Sequence, residues 1–186
     1  MEIMKISDAI EIYKNKQLDC VDEDYKELVR LVRESRIKDP IKNSNYSHAL
    51  YLTDLMFGCT TESLRIFCGN GGDGFLTALK DSFEKAVKRV IKNGGTVKII
   101  LLADSAPDIL KELKSKYKEK FQYALANAKG LLNHYIVCDS RLLRYEEKHE
   151  PITKDSEVDL IKANVYFNNP SIAKMMEDGF DTIWGD

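Results

Sequence analysis

The sequence predicts an α/β fold in which helices flank a mixed β-sheet, with a helical extension at the N-terminus. Up to about residue 58, apolar residues recur at the three-and-four spacing of amphipathic helices. After that point, short apolar runs alternate with helical segments, which is the order of a sheet with helical crossovers. Two further runs, 134–138 and 141–146, follow each other so closely that they can pair as an antiparallel hairpin. Parallel and antiparallel neighbours together predict a mixed sheet.

Length and composition agree with one ordinary domain. The chain has 186 residues, of which 44% are hydrophobic, and its net charge of −2 is too small to indicate a polyanionic partner. The four cysteines form no CxxC pair, which favours a reduced, intracellular protein over a disulfide framework. Acidic residues near the N-terminus do not fit a signal peptide, and no apolar run approaches the ~20 residues of a membrane span. We therefore expect a cytoplasmic protein with no membrane span.

The N-terminal part is predicted to be helical. Asp22 or Asp24 can cap a first helix, which ends at Asp39-Pro40. Residues 43–45 offer a cap for a second helix, and Gly58 is placed to close it. We assign residues 1–44 to an N-terminal helical extension and residues 45–186 to the α/β domain.

After residue 58, the α/β domain is predicted to contain six strands and three helices. The strands are 63–68, 96–103, 122–126, 134–138, 141–146 and 163–167, and the helices are 75–93, 107–121 and one that starts at 170. A tight turn at Asp139-Ser140 joins the two strands of the hairpin. The charged segment 147–159, which contains Pro151 and lacks apolar periodicity, is predicted to be a mobile loop.

A glycine-rich loop lies between the first predicted strand and the helix after it. Gly69, Gly71 and Gly74 fit the pattern G-x-G-x-x-G, which in this context can let the backbone approach a pyrophosphate at a helix N-terminus. Asp73, however, would place negative charge where the phosphate should lie, and it can instead cap the helix. Asp104 also lies too far along the chain to bind the ribose of a dinucleotide. Two interpretations stay open, an anion-binding loop and a plain turn.

His134 is the candidate functional histidine. It opens a predicted strand and shares a face with Ile136 and Cys138. A histidine in a strand is more often a structural residue than a catalytic one. The order of the predicted elements around His134 nevertheless favours a functional role for it.

From about residue 45 to the C-terminus, the chain resembles the phospholipase D superfamily. The resemblance rests on the order of elements, with a strong apolar strand at 97–102, a hairpin, an A-x-x-N-type strand at 163–168 and a final helix with an aromatic–Trp ending at 180–184. It covers about three-quarters of the chain, in pattern and not in strict motif. It implies that His134 corresponds to the histidine of the signature H-x-K-x4-D, which attacks phosphorus.

The resemblance implies a degenerate site, because two residues of the signature differ. The lysine that holds the phosphate oxygens is replaced by Ile136, and the aspartate is replaced by Arg141. Such losses of charge cost several kcal/mol in the transition state. Asp139 lies two residues early and on the opposite face. We therefore expect a unit that has kept the fold and an anion pocket without hydrolase activity.

The implied function is recognition of a phosphate-bearing ligand (nucleic acid, nucleotide or lipid head group) or of a protein partner. The predicted ligand-binding residues are His134, Arg141, Arg144, Tyr145, Asn164, Gly69, Gly71 and Gly74. Members of the superfamily usually pair two motifs, which implies a homodimer with His134 of each subunit near the two-fold axis. The N-terminal helices could contact a partner protein. No cofactor or resident metal is implied.

Several alternatives remain. A phosphodiesterase or nuclease could use His134 as nucleophile with an arginine in place of the lysine, and a purely structural interaction module would leave the pocket empty. Cys68, Cys138 and His134 could hold zinc, or a cysteine–histidine pair could act as a nucleophile, but buried cysteines more often pack as apolar residues. A lysine-rich run at 111–120 is typical of a solvated helix face, but it could also meet phosphates.

Overall fold

A computed structural model describes residues 21–43, 45–68, 72–126, 133–147 and 162–185. Its helices are α1 (Glu23–Glu34), α2 (Tyr46–Cys59), α3 (Gly72–Ala78), α4 (Lys80–Lys92), α5 (Asp108–Tyr117) and α6 (Pro170–Gly185). Its strands are β1 (Ile41–Asn43), β2 (Ser63–Cys68), β3 (Thr96–Leu101), β4 (Phe121–Leu125), β5 (His134–Cys138), β6 (Leu142–Glu146) and β7 (Ala163–Tyr166). A short 3₁₀ turn, Lys118–Lys120, joins α5 to β4. Apart from residue 147, the loop predicted over 147–159 lies outside the described residues.

The seven strands form one mixed sheet in the order β1-β7-β6-β5-β2-β3-β4. β2, β3 and β4 run parallel, because helices connect them. The other neighbours pair antiparallel, including the β5–β6 hairpin. The predicted α/β fold with a mixed sheet flanked by helices is therefore confirmed.

The two faces of the sheet carry cores of different size. The first face packs against α1 to α5, and the larger apolar cluster lies there, with Phe57, Phe83 and Phe121 fully buried at its centre. The second face packs against α6, where Phe180 meets the side chains of Tyr135 and Trp184. Alternation along each strand decides which cluster a residue joins. No helix in the described ranges combines the length and apolar character needed to cross a bilayer.

The structure departs from the predicted helix ends in the N-terminal part. Asp22 caps α1 by accepting a hydrogen bond from the backbone N–H of Tyr25, as predicted, but the helix ends at Glu34, well before Pro40. Residues 41–43, for which no strand was predicted, pair with β7 at the edge of the sheet. A three-residue strand is too short to show a period in the sequence. The domain boundary between residues 44 and 45 remains a prediction.

The predicted bounds of two other helices were also wrong. Asn45 caps α2 as predicted, but the helix continues through Gly58 to Cys59. The guanidinium of Arg89 donates to the backbone carbonyls of Phe57 and Thr60, and so satisfies the end of α2 without a glycine cap. The single helix predicted over 75–93 is two helices, α3 and α4, with a break at Leu79.

Candidate functional site

The site around His134 is built from the carboxyl edge of the parallel strands. His134 begins β5, which runs antiparallel to β2, so it lies beside the end of β2 at Cys68. Across the hairpin, Glu146 at the end of β6 lies directly opposite His134. Side chains in such cross-strand positions have Cβ atoms about 4.5–5.5 Å apart. The edge therefore brings together an imidazole, a carboxylate and a thiol.

The electrostatics of Cys68 support this proximity. Desolvation raises the pKa of its thiol to about 12, and the nearby charge of Glu146 adds to the rise. A thiol with such a pKa stays protonated at neutral pH, so it is neither a nucleophile nor a ready metal ligand there. The cysteine–histidine alternative is disfavoured for this reason.

A buried ion pair lies next to His134 on the same face. Arg144 and Glu146 share this face of β6, and their side chains form two hydrogen bonds, Nη1 to Oε2 at 2.5 Å and Nη2 to Oε1 at 2.9 Å. The side chains are only 3% and 7% exposed. The guanidinium also lies over the ring of Phe75 in α3, 5.5 Å from the ring centroid. Arg144 is thus held by both the sheet and the helix that follows the glycine loop.

The position of the signature lysine is apolar in space as well as in sequence. Ile136 is 5% exposed and lies opposite Arg144 in the strand register. It packs in the large core cluster. Among the described strand residues, Arg144 is the one cation on this face of the sheet, and it is already paired with Glu146.

The structure separates several residues that the sequence analysis grouped with His134. Tyr145 and Asn164 pair with each other on the opposite face, where Asn133 donates to the hydroxyl of Tyr145. Arg141 is exposed at the turn, at the other end of the hairpin from His134. The two arginines therefore do not meet as a clamp around one phosphate. The ligand-binding roles of these residues stay predictions.

A single unpaired residue in the hairpin explains this separation. The predicted turn is confirmed, since Asp139 and Ser140 both adopt positive φ values, 53° and 51°. Arg141, however, opposes no residue, because Cys138 pairs with Leu142. A shift of one residue in register moves every side chain of a strand to the other face relative to its partner. This shift places Glu146, which the sequence analysis missed, opposite His134.

Of the three glycines in the loop, Gly74 lies within α3, and Gly69 and Gly71 lie outside the described residues. The parallel part of the described sheet has three strands, and its order differs from that of a dinucleotide-binding fold. The loop does follow β2 directly, so it starts at the same edge of the sheet as His134.

The zinc alternative finds no support in the geometry. Cys138 lies at the far end of β5 from His134, four residues and therefore about 13 Å away. Burial raises the pKa of the Cys138 thiol to about 12. Within the described ranges, no three His, Cys, Asp or Glu side chains are grouped closely enough to hold a metal ion.

No protein-family model matches the chain, and no curated protein matches it in sequence. Solved structures do match. TrmBL2, an archaeal chromatin protein whose structure shows a novel mode of DNA binding, superposes with a TM-score of 0.53 at 14% identity, over 97% of this chain and 64% of TrmBL2. This chain therefore spans less than two-thirds of that protein.

Two further solved structures are similar to a comparable degree. Nuc from Salmonella typhimurium, a phospholipase D family member, has a TM-score of 0.51 at 15% identity, with 79% of this chain and 95% of Nuc covered. NucT from Helicobacter pylori has a TM-score of 0.50 at 14% identity, with coverage of 74% and 88%. The fold is thus phospholipase D-like, as the sequence resemblance implied. At these identities the likeness concerns the fold alone.

Proposed function

We propose that this chain is a phospholipase D-like recognition domain, which binds a phosphate-bearing ligand or a protein partner without hydrolysing a phosphodiester. One observation carries the proposal. Arg144, the cation next to His134 on the sheet, is buried in a two-bond ion pair with Glu146, while Ile136 occupies the lysine position. Apart from His134 itself, no described strand residue on this face is left to hold the oxygens of a reacting phosphate.

The energetics of phosphoryl transfer support this view. Its transition state carries negative charge that is stabilised by cations in place beforehand. Here the pair of Arg144 and Glu146 has no net charge, and the carboxylate is the group opposite His134. Freeing the arginine would leave a buried carboxylate without its partner, which typically costs about 3–5 kcal/mol. A penalty of that size corresponds to roughly a hundredfold or more in rate.

Binding a ligand at the carboxyl edge of the parallel strands requires fewer charged groups than phosphoryl transfer does. Ligands of open α/β sheets bind outside the carboxyl ends of the parallel strands, and His134 lies at this edge beside the start of the glycine loop. A half-buried imidazole and backbone amides can bind an anion without catalysing its cleavage. The DNA-binding protein TrmBL2, which is similar over nearly the whole chain, makes nucleic acid a reasonable first ligand to test.

The test is a paired assay of the wild type and His134→Ala. Hydrolysis of a generic phosphodiester and of single- and double-stranded DNA is followed with and without divalent metal. We expect no turnover by either protein, with circular dichroism showing that both are folded. Metal-independent turnover by the wild type that disappears in His134→Ala would overturn the proposal.

A phosphodiesterase or nuclease is the second candidate, and the register of the hairpin favours it. Glu146 lies opposite His134, a position from which a carboxylate can orient an imidazole. Arg144 precedes Glu146 by two residues and so lies on the same face of β6. Glu146 and Arg144 would then replace the missing aspartate and lysine of the signature. In that case Glu146→Gln would lower turnover as strongly as His134→Ala. Equal, background-level rates in all three proteins would reject this candidate.

We further propose that the chain forms a homodimer with His134 of both subunits near the two-fold axis. Sedimentation equilibrium of the wild type tests this directly, with a dimer mass expected at micromolar concentration. A monomer over the whole concentration range would contradict it. A folded monomer without turnover or ligand binding would favour the purely structural module, in which helices such as α1 contact a partner.

A further inference from the structure

Charge is distributed unevenly along the chain, although the total is nearly balanced. Residues 85–120 contain ten Lys and Arg but four Asp and Glu, whereas the remainder contains eighteen and twenty-six. All residues of the basic segment are described, and they form most of α4, then β3, α5 and the 3₁₀ turn. The basic charge is therefore concentrated in one half of the fold.

Two of these ten cations form ion pairs, and a third, Arg89, is half-buried at the end of α2. Arg89 donates to two carbonyls at the end of α2, Lys98 pairs with Asp181 at 3.1 Å, and Lys111 pairs with Asp108 at 2.8 Å. The other seven are exposed lysines that form no ion pair with any described residue. We call them the lysine face: Lys85, Lys88, Lys92, Lys114, Lys116, Lys118 and Lys120.

The topology brings the lysine face together. α4 and α5 precede the neighbouring parallel strands β3 and β4, so the C-terminal ends of both helices lie at the same edge of the sheet. The ammonium group of Lys120 donates to the backbone carbonyl of Gly94 at 3.2 Å, which joins the 3₁₀ turn to the end of α4. Lys114 is held over the ring of Tyr123, 4.7 Å from its centroid. This edge is opposite to the edge at which His134 lies.

Helix-dipole compensation explains only part of the lysine face. Lys92, Lys114 and Lys116 lie in last turns, where cations interact favourably with helix C-termini. Lys85 and Lys88 lie in the middle of α4, where this effect has faded. Together with Lys92 they form an exposed stripe with steps of about 4.5 and 6 Å along the helix axis. Such an extended row suits a polymer of phosphates better than a single anion.

We propose that the lysine face binds the phosphate backbone of duplex nucleic acid, without base recognition and independently of the His134 edge. Lysine ammonium groups that neutralise backbone phosphates release counterions, and this gives affinity without sequence preference. An anionic membrane is the less suitable partner, because interfacial helices also need exposed large apolar side chains. The large apolar side chains exposed among the described residues are Leu125, Met175 and Ile183, outside α4 and α5.

The experiment measures fluorescence anisotropy of a labelled, mixed-sequence DNA duplex of about 20 base pairs from 50 to 200 mM salt. The test variant is Lys85→Glu/Lys88→Glu, whose side chains are exposed and make no described contact. The matched control is Lys38→Glu/Lys42→Glu, which makes the same charge change in exposed residues near β1, the opposite edge strand. Binding by the test variant should weaken about tenfold or more at 50 mM salt, and its log–log salt slope should fall by about two. The control should change affinity less than about threefold.

Several outcomes would overturn the proposal. An equal loss of DNA affinity in the test and control variants would mean that net charge, and not the lysine face, determines binding. Absence of wild-type binding at 50 mM salt, or binding to phosphatidylserine vesicles but not to DNA, would also reject it. Thermal melts check that each variant is folded. If Lys85→Glu/Lys88→Glu does not fold, Lys118→Gln provides a second test of the lysine face. The hydrolysis assay reports on the His134 edge, whereas the difference in affinity between the test and control variants reports on the lysine face, so failure of one proposal is distinguishable from failure of the other.

Discussion

The two ends of the β5–β6 hairpin each carry a buried carboxylate, and the two carboxylates have different partners. At the turn, Asp139 accepts hydrogen bonds from the backbone N–H groups of Thr61, Glu62 and Ser63, at 2.7–3.1 Å. It also accepts one from the hydroxyl of Thr61 at 3.1 Å. At the open end, Glu146 binds the guanidinium of Arg144.

The difference between the two ends distinguishes a structural carboxylate from a candidate functional one. Asp139 satisfies backbone donors that precede and begin β2, so it joins the hairpin to its neighbouring strand. Backbone amides cannot move away without unfolding this segment. The partner of Glu146 is a side chain, which could in principle exchange partners when a ligand binds. Arg141 occupies the position of the signature aspartate, and Asp139, the aspartate two residues before it, therefore has a structural role instead.

The largest expected effect comes from breaking the pair at the open end. Glu146→Leu should lower the free energy of unfolding by about 3–5 kcal/mol, because it leaves the Arg144 cation buried without a partner. The double variant Arg144→Met/Glu146→Leu should recover most of this loss, since no buried charge remains. Urea denaturation at neutral pH measures both. Equal destabilisation of the single and double variants would mean that the pair is not the determinant of stability here.

The turn end should respond somewhat less strongly. Asp139→Ala should cost roughly 2–3 kcal/mol, because buried backbone donors lose a charged acceptor. Asp139→Asn should lose only about half as much free energy of unfolding as Asp139→Ala. The amide oxygen of asparagine still accepts hydrogen bonds, and asparagine tolerates the positive φ of 53°. The same denaturation assay applies. If Ala and Asn cost the same, the charge of Asp139 rather than its geometry would be responsible.

A third carboxylate extends the comparison to an exposed site. Asp181 in α6 is 40% exposed and binds Arg65 at 3.0 Å and Lys98 at 3.1 Å. Partial burial opposes its ionisation, but the hydrogen bonds from these two cations outweigh that effect and lower its pKa. Asp181→Asn should therefore cost only about 0–1 kcal/mol at pH 7.

The pH dependence of this variant follows from the sign of the shift. A lowered folded-state pKa stabilises the protein above the unfolded-state pKa of about 3.9, and the contribution is lost as the pH falls through the folded value. The stability difference between the wild type and Asp181→Asn should thus be constant from pH 7 to 5 and shrink below pH 4. Denaturation curves at pH 7, 5 and 3 test this. A difference that grows on acidification would contradict the direction of the shift.

Much of the fold could be predicted because its strands and helices have clear periods. The apolar runs of β2, β3 and β5 and the caps at Asp22 and Asn45 are local signals, and the structure contains all of them. The end of α2 could not be predicted locally, because the group that satisfies its carbonyls, Arg89, is about thirty residues away.

The candidate site was predicted in part. The sequence placed His134 at the start of a strand beside a hairpin, and it identified Ile136 in the lysine position. Glu146 could have been found from its spacing of two residues from Arg144, which puts both on one strand face. Its position opposite His134 required the register, which depends on whether Arg141 is paired.

The sequence by itself determined most of the segments that form strands and helices, which of their faces are apolar and where the charges of the lysine face occur, because these are properties of neighbouring residues. Only the tertiary structure decided that Arg144 is bound by Glu146, that Tyr145 and Asn164 lie on the other face from His134, and that α4 and α5 end at one edge. The physical reason is that strand register and burial depend on contacts between distant segments. One unpaired residue in a turn changes those contacts without changing any local pattern.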